Sequence, residues 1–317
     1  MEKSKRFKFI LLIIGIICLV LIGIVLMLPT LYEFYWNQML RDALVNTDYF
    51  FRFITEFGGT LIYLAIFFIL YWGINKNIAR NLLIVFVGSN FVNFYAKSII
   101  GRARPPESNW LLISASHLSN PSGHAQSSST FWGYMALKSN RFIMWIISVV
   151  IIILVGYSRI YLGVHWFGDV LAGWLFGIII LDVVLLLEVP IKNFVSRCNI
   201  IHIYLGLAII GLGVMLLTET FLQIEYDLGG PGGQMIGLGL GFALEEKFLK
   251  FDVNANADKQ WKRVLRILIG ILLIAMIYLV IYLVIDTDIY WMNALHYIVT
   301  LVLGIFIWPA IFKKINL

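Results

Sequence analysis

The chain is a series of apolar runs, and their lengths dictate the class of fold. They fall at about 9–28, 58–74, 79–96, 123–137, 142–157, 166–189, 201–218, 231–244, 264–285 and 290–312. A helix needs roughly 20 apolar residues to cross a bilayer. In hydrocarbon, only elements that satisfy their own backbone hydrogen bonds can span. The 317 residues therefore read as an all-α integral membrane protein of about ten transmembrane helices. The runs at 123–137 and 231–244 are short and rich in small or polar residues. Residues 30–57 carry Glu33, Arg41, Asp42, Asp48, Arg52 and Glu56 among aromatics, and read as an amphipathic, interfacial stretch. Composition agrees: 61% of residues are hydrophobic and 13% charged, against about 25% charged in a soluble domain. The first run is too long for a signal-peptide core and lacks a small-x-small cleavage site, so it is expected to be a retained anchor. Cys18 and Cys198 are the only cysteines, which argues against a disulfide framework or a cysteine metal site.

Basic residues mark cytoplasmic loops in membrane proteins. Lys3, Lys5, Arg6 and Lys8 precede the first run and predict a cytoplasmic N-terminus. With ten spans the C-terminus, with Lys313 and Lys314, is also cytoplasmic. The intervening cytoplasmic loops hold Lys76 and Arg80, Lys138 and Arg141, Lys192 and Arg197, then Lys247, Lys250, Lys259, Lys262, Arg263 and Arg266. Two outer loops are acidic, with Glu219, Glu225 and Asp227 in one and Asp286 and Asp288 in the other. The net charge of +6 is thus mainly a sum of topology signals and does not point to nucleic acid. One outer segment breaks the pattern: residues 97–108 carry Lys97, Arg102 and Arg104.

Three polar clusters share that outer face. The first is Lys97-S-I-I-G-R-A-Arg104-Pro105, the second Pro121-Ser122-Gly123-His124, and the third Ser158-Arg159-I-Y-L-G-V-His165-W-F-G-Asp169. Their chemistry suits a phosphate. Lys97, Arg104 and Arg159 supply charge and donors, and a guanidinium can grip two phosphate oxygens. Ser122 and the Gly123 amide stand where a helix begins, where free N–H groups and the helix dipole favour an anion. His165 and Asp169, four apart, fall on one helical face. The carboxylate can then orient the imidazole as a nucleophile. His124 is placed to give a proton to the leaving oxygen and then to activate water.

Together these clusters resemble the K-x6-R-P, P-S-G-H and S-R-x5-H-x3-D signature of the type 2 phosphatidic acid phosphatase superfamily. Every signature residue is present, and the resemblance covers about residues 58–189. It implies a six-helix core and a metal-independent phosphatase that uses no cofactor and forms a phosphohistidine. By motif position His165 is the implied nucleophile, Asp169 its partner and His124 the general acid. Lys97, Arg104, Ser122, Gly123 and Arg159 are the implied phosphate ligands. The superfamily also includes soluble vanadium-dependent haloperoxidases, a branch that the apolar runs argue against. The expected substrate is a lipid phosphate or a lipid (polyprenyl) diphosphate, since a tail can stay in the bilayer while the head group enters the site. The expected setting is a plasma membrane with the site extracytoplasmic. Transfer of the phosphoryl group to a lipid or sugar acceptor, or a non-catalytic scaffold or transporter, stays open, as does the oligomeric state.

The expected division is a core over 1–189 and a C-terminal membrane extension of about four helices over 190–317, which carries no catalytic motif. Gly237, Gly239 and Gly241 suggest close helix packing, and Glu245, Glu246 and Lys247 read as a charged helix end. Within the core, Arg102 is either a second-phosphate ligand or a solvated charge. His117 has no counterpart in the signature. Trp110, Leu111 and Leu112 suit the membrane interface near the site, Asn90 and Asn93 either line the site or tie helices together, and Asp182 reads as a contact to another helix.

Overall fold

The computed structural model of the chain describes residues 2–27, 30–42, 44, 46–112, 118–139, 141–218, 229–254, 260–284 and 289–317. Every regular element among the described residues is helical. In chain order the α-helices are α1 (Glu2–Leu26), α2 (Thr30–Asp42), α3 (Asp48–Glu56), α4 (Thr60–Ile69), α5 (Lys76–Ile100), α6 (Gly123–Ser139), α7 (Phe142–Tyr161), α8 (Phe167–Val195), α9 (Ile200–Leu217), α10 (Gly229–Leu244), α11 (Gln260–Val284), α12 (Tyr290–Val302) and α13 (Trp308–Lys314).

Each of the ten apolar runs falls on a helix. Seven stretches are long and apolar enough to cross a membrane, among them Tyr290–Lys314, which joins α12 and α13. The pair Asp48–Glu56 and Thr60–Ile74, bent by 49°, makes an eighth if it is one span. Helices α6 and α10, with 17 and 16 residues, fall short of the length. The count of ten is therefore approximate. Glu219, Glu225, Asp227, Lys259, Asp286, Asp288 and His117 lie outside the described residues.

The chain divides into two compact units, Met1–Tyr63 with Gly88–Val189, and Leu64–Val87 with Pro190–Leu317. The second unit takes in residues 64–87 as well as residues 190–317, a grouping that a linear reading of the runs does not make.

In the first unit, α6 is nearly all buried although it carries Gln126, Ser127, Ser128, Ser129 and Thr130. Ser128 donates to the Ala125 carbonyl at 3.0 Å and Ser129 to the Trp174 carbonyl at 3.3 Å, and the other three have partners on α5. Gln126 donates to the Ser89 carbonyl at 2.8 Å, Asn93 donates to Gln126 Oε1 at 2.9 Å, Ser127 donates to Asn90 Oδ1 at 3.0 Å, and Thr130 lies 3.1 Å from Ser89 Oγ. This explains why α6 looks weak by hydropathy yet sits in the core: paired polar groups can be buried where unpaired ones cannot. It also gives Asn90 and Asn93 their role, tying α5 to α6. Helix α8 reaches the α6 backbone through Gly173 and Gly177, where any Cβ would stand within 3 Å of Ser122 O or the Ser129 side chain. On α1, Cys18 and Ile22 pack against Leu175, while Phe9, Ile16, Leu19 and Val20 stay exposed, as expected of a face turned to lipid.

In the second unit, α10 packs through its glycines as expected. A Cβ at Gly239 would meet Tyr204 O on α9 at 2.4 Å, and one at Gly237 would meet Ile298 Cα on α12 at 2.9 Å. Trp72 donates to the Gly304 carbonyl at 2.9 Å and fills the space over Gly270. Glu245 is more than a charged helix end. It is buried, pairs with Lys76 at 2.7 Å and accepts from the Phe251 N–H.

Candidate active site

All eight expected site residues lie in the first unit. Lys97 sits in the last turn of α5, Arg104 in the following loop, Ser122 just before α6, and Gly123 and His124 in its first turn. Arg159 ends α7, His165 lies in the short turn after it, and Asp169 opens α8. Gly163, with φ of +74°, makes that turn. A side chain there would strike the Asn109 carbonyl, so glycine is required twice over.

The clusters are bonded to one another. Arg104 Nη1 donates to the Val164 carbonyl at 2.7 Å and lies 3.1 Å from His165 Nε2. Ser122 N–H donates to the Asp169 carbonyl at 2.9 Å. Lys97 Nζ donates to the Leu118 and Ser119 carbonyls. His124 lies within electrostatic reach of Arg159, His165, Arg104 and Lys97, and Gly58 leaves room for its ring. Gly123 faces Asn93 Oδ1 so closely that an added Cβ would stand 3.2 Å away.

His165 and Asp169 are buried. Imidazole Nδ1 lies 3.4 Å from Asp169 Oδ2. Burial, reinforced by Arg104, Lys97 and Arg159, holds the His165 pKa well below the ordinary histidine value, which favours the neutral ring. Arg104 is brought down to about 10, chiefly by burial, and stays charged at neutral pH. Among the site residues, the buried Ser122 Oγ and Arg159 Nε find no hydrogen-bond partner among the described residues. Both belong to the expected phosphate ligands. Among the described residues, no group of three or more His, Cys, Asp and Glu is arranged to hold a metal ion.

Several residues that the signature does not name also build the site. Thr55 of α3 accepts from Arg159 Nη1 at 2.7 Å. Ser119 and Asn120 both donate to Asp169. Asn37 of α2 donates to the His165 carbonyl at 2.9 Å, and Arg41 donates to the Tyr161 carbonyl at 3.1 Å. Arg102 fits neither sequence expectation exclusively, since it pairs with Asp169 at 3.3 Å and lies 5.9 Å from the Trp166 ring. Trp110, Leu111 and Leu112 pack on a cluster of Phe51, Tyr161, Leu162 and Val164 beneath the loop. Asp182 is buried in α8, within electrostatic reach of Cys18 on α1.

Two segments of the chain match known families. Residues 78–190 match the PAP2 superfamily, and residues 230–317 match the PAP2 superfamily phosphatase transmembrane extension. Sphingosine-1-phosphate phosphatase 1 of Rattus norvegicus is 31% identical over 205 residues, 62% of this chain and 47% of that protein. An undecaprenyl-diphosphatase of Sulfolobus acidocaldarius is 33% identical over 130 residues, 39% of this chain and 63% of that protein. Phosphatidylglycerophosphatase B of Bacillus subtilis is 34% identical over 122 residues, 36% of this chain and 59% of that protein. The chain spans about half the length of the sphingosine-1-phosphate phosphatases it matches. With both family matches on one all-helical membrane chain, the protein belongs to the PAP2 superfamily.

Proposed function

We propose that the protein is a metal-independent membrane phosphatase that hydrolyses a lipid phosphate or lipid diphosphate through a phosphohistidine. The observation that carries this reading is the polarity of His165. Its Nδ1 end faces Asp169 and Ser119, and its Nε2 end faces Arg104. The relatives' names add support, all three being phosphatases of lipid phosphates or diphosphates.

Arg104, Lys97 and Arg159 hold the phosphoryl oxygens, with Ser122 Oγ and the Gly123 N–H completing the cradle. His165 Nε2 attacks phosphorus, a P–N bond forms, and the bond to the lipid oxygen breaks. His124 gives its proton to that oxygen as it leaves. Water then enters, His124 takes its proton, the hydroxyl oxygen bonds to phosphorus, and the P–N bond breaks to free inorganic phosphate and neutral His165. Negative charge that grows on the phosphoryl oxygens is met by groups already oriented in a buried site, where they contribute most. The reading places this site at the extracytoplasmic face of a plasma membrane, with both termini cytoplasmic, on the strength of the loop charges. Residues 1–189 form the phosphatase core in this reading, and 190–317 its membrane extension.

The test is phosphate release by the purified protein in lipid micelles with EDTA present, over lipid monophosphates, lipid diphosphates and soluble sugar phosphates. Release from at least one lipid class, abolished in His165→Ala, is expected. Full activity in His165→Ala would overturn the mechanism.

A further inference from the structure

We propose that the Ser119 hydroxyl is a positioning group that sets the tautomer of His165, with Arg102 and Asn120 anchoring the carboxylate behind it. This rests on His165 being the nucleophile.

The four-residue spacing predicts a direct bond between His165 and Asp169, but the structure puts Nδ1 and Oδ2 3.4 Å apart, at the outer limit for such a bond. Ser119 Oγ lies as far from Nδ1, at 3.4 Å, and donates to the same Asp169 Oδ2 at close range. A hydroxyl has one hydrogen and two lone pairs, and an ionised carboxylate can only accept. The Ser119 proton therefore goes to Asp169, and a lone pair is left facing Nδ1, which must carry the imidazole proton. The other end of the ring agrees. Arg104 can only donate, so Nε2, 3.1 Å from Nη1, must accept. Two neighbours on opposite sides thus demand one tautomer, Nδ1–H with a bare Nε2. That is the form a nucleophile needs.

The Ser119 backbone is held in place. It is fully buried, its N–H donates to the Arg102 carbonyl at 2.8 Å, and its own carbonyl receives Lys97. The carboxylate is fixed as firmly. Oδ2 also accepts from Trp166 N–H at 2.8 Å, while Oδ1 accepts from Asn120 at 3.0 Å and Arg102 at 3.3 Å.

The experiment compares wild type, Ser119→Ala and Ser119→Cys. Cysteine is close in size to serine but a poor donor, so it stands in if alanine does not fold. Two readouts are taken: kcat and KM for phosphate release, and the tautomer of His165 from histidine-selective 15N spectra in detergent, which needs no turnover. The expected result is a kcat lowered about tenfold or more, with KM within about twofold because the phosphate ligands are untouched. The Nδ1–H tautomer should dominate in wild type and lose its dominance in the variants. Wild-type kcat in either folded variant, a persisting Nδ1–H signature, or a KM rising in step with the loss of kcat would overturn the proposal. A wild type that releases no phosphate, yet shows a Ser119-dependent Nδ1–H signature, would retire the phosphatase reading and uphold the positioning role.

Discussion

A single methyl group at Gly173 tests whether helix packing holds the phosphate cradle in place. A Cβ there would stand 2.7 Å from the Ser122 carbonyl oxygen, 2.9 Å from Ala125 Cβ and 3.1 Å from Gln126 N. Ordinary contact begins near 3.4 Å, so α8 and the Ser122–Gly123 turn must part by about 0.7 Å, and the obstructing oxygen is backbone that cannot swing aside. Overpacking of this kind typically costs about 1–3 kcal/mol. The same displacement moves Ser122 and Gly123 away from the phosphoryl position, and a misplacement of about 1 Å can cost on the order of 100-fold in rate. Gly173→Ala should therefore lower kcat/KM about 10- to 100-fold in a phosphate-release assay on lipid phosphate micelles. Gly88→Ala is the control. Its Cβ would meet nothing within 4 Å, and alanine suits a helix better than glycine, so activity should stay within about twofold of wild type. A Gly173→Ala protein with wild-type kcat/KM would refute the claim that this contact positions the cradle.

Three further outcomes follow from the site. His124→Ala should lower kcat about 10²- to 10⁴-fold, and with an aryl phosphate, whose leaving group needs no proton, should show a burst of released phenol followed by slow turnover. A uniform slow rate with no burst would contradict a role in the second step. Thr55→Val removes the acceptor that Arg159 Nη1 bonds at 2.7 Å and leaves Arg159 free to drift, so KM should rise about threefold to tenfold with kcat less affected; unchanged kinetics would show that Thr55 does not hold the phosphate ligand. An NMR titration of His165 should give a midpoint below the ordinary value of about 6.5, since burial and three cations disfavour its charged form. By linkage, the unfolded chain binds this proton more readily. The contribution to stability is therefore present above the unfolded value and is lost as pH falls through it toward the folded one. A midpoint at or above 6.5 would contradict the assignment.

The candidate site could be read from sequence because its residues are concentrated in three short segments, which the structure brings together in one unit. The spans were legible for a similar reason, since the bilayer fixes their length. What stayed hidden is what tertiary packing decides. Thr55 and Asn37 lie more than a hundred residues from their partners Arg159 and His165, on helices that read only as interfacial. Arg102 reads in sequence as either a second-phosphate ligand or a solvated charge, and only the fold shows it against Asp169. Ser119 and Asn120 carried a faint signal, standing directly before Pro121-Ser122-Gly123-His124. Glu245 and Lys76 show the same limit, as a part-buried pair that pattern reading splits into two separate helix ends. Helix α6 shows the reverse: hydropathy undervalued it because its polar side chains are satisfied by Ser89, Asn90 and Asn93.

The central claim is that phosphate passes through His165. The direct measurement is to quench the protein in alkali during turnover of a phosphorus-labelled lipid phosphate and map the bound label by mass spectrometry. The account predicts label on His165, stable in base and lost in acid, with none bound to His165→Ala. Turnover with no label on His165, or label carried by another residue, would contradict it.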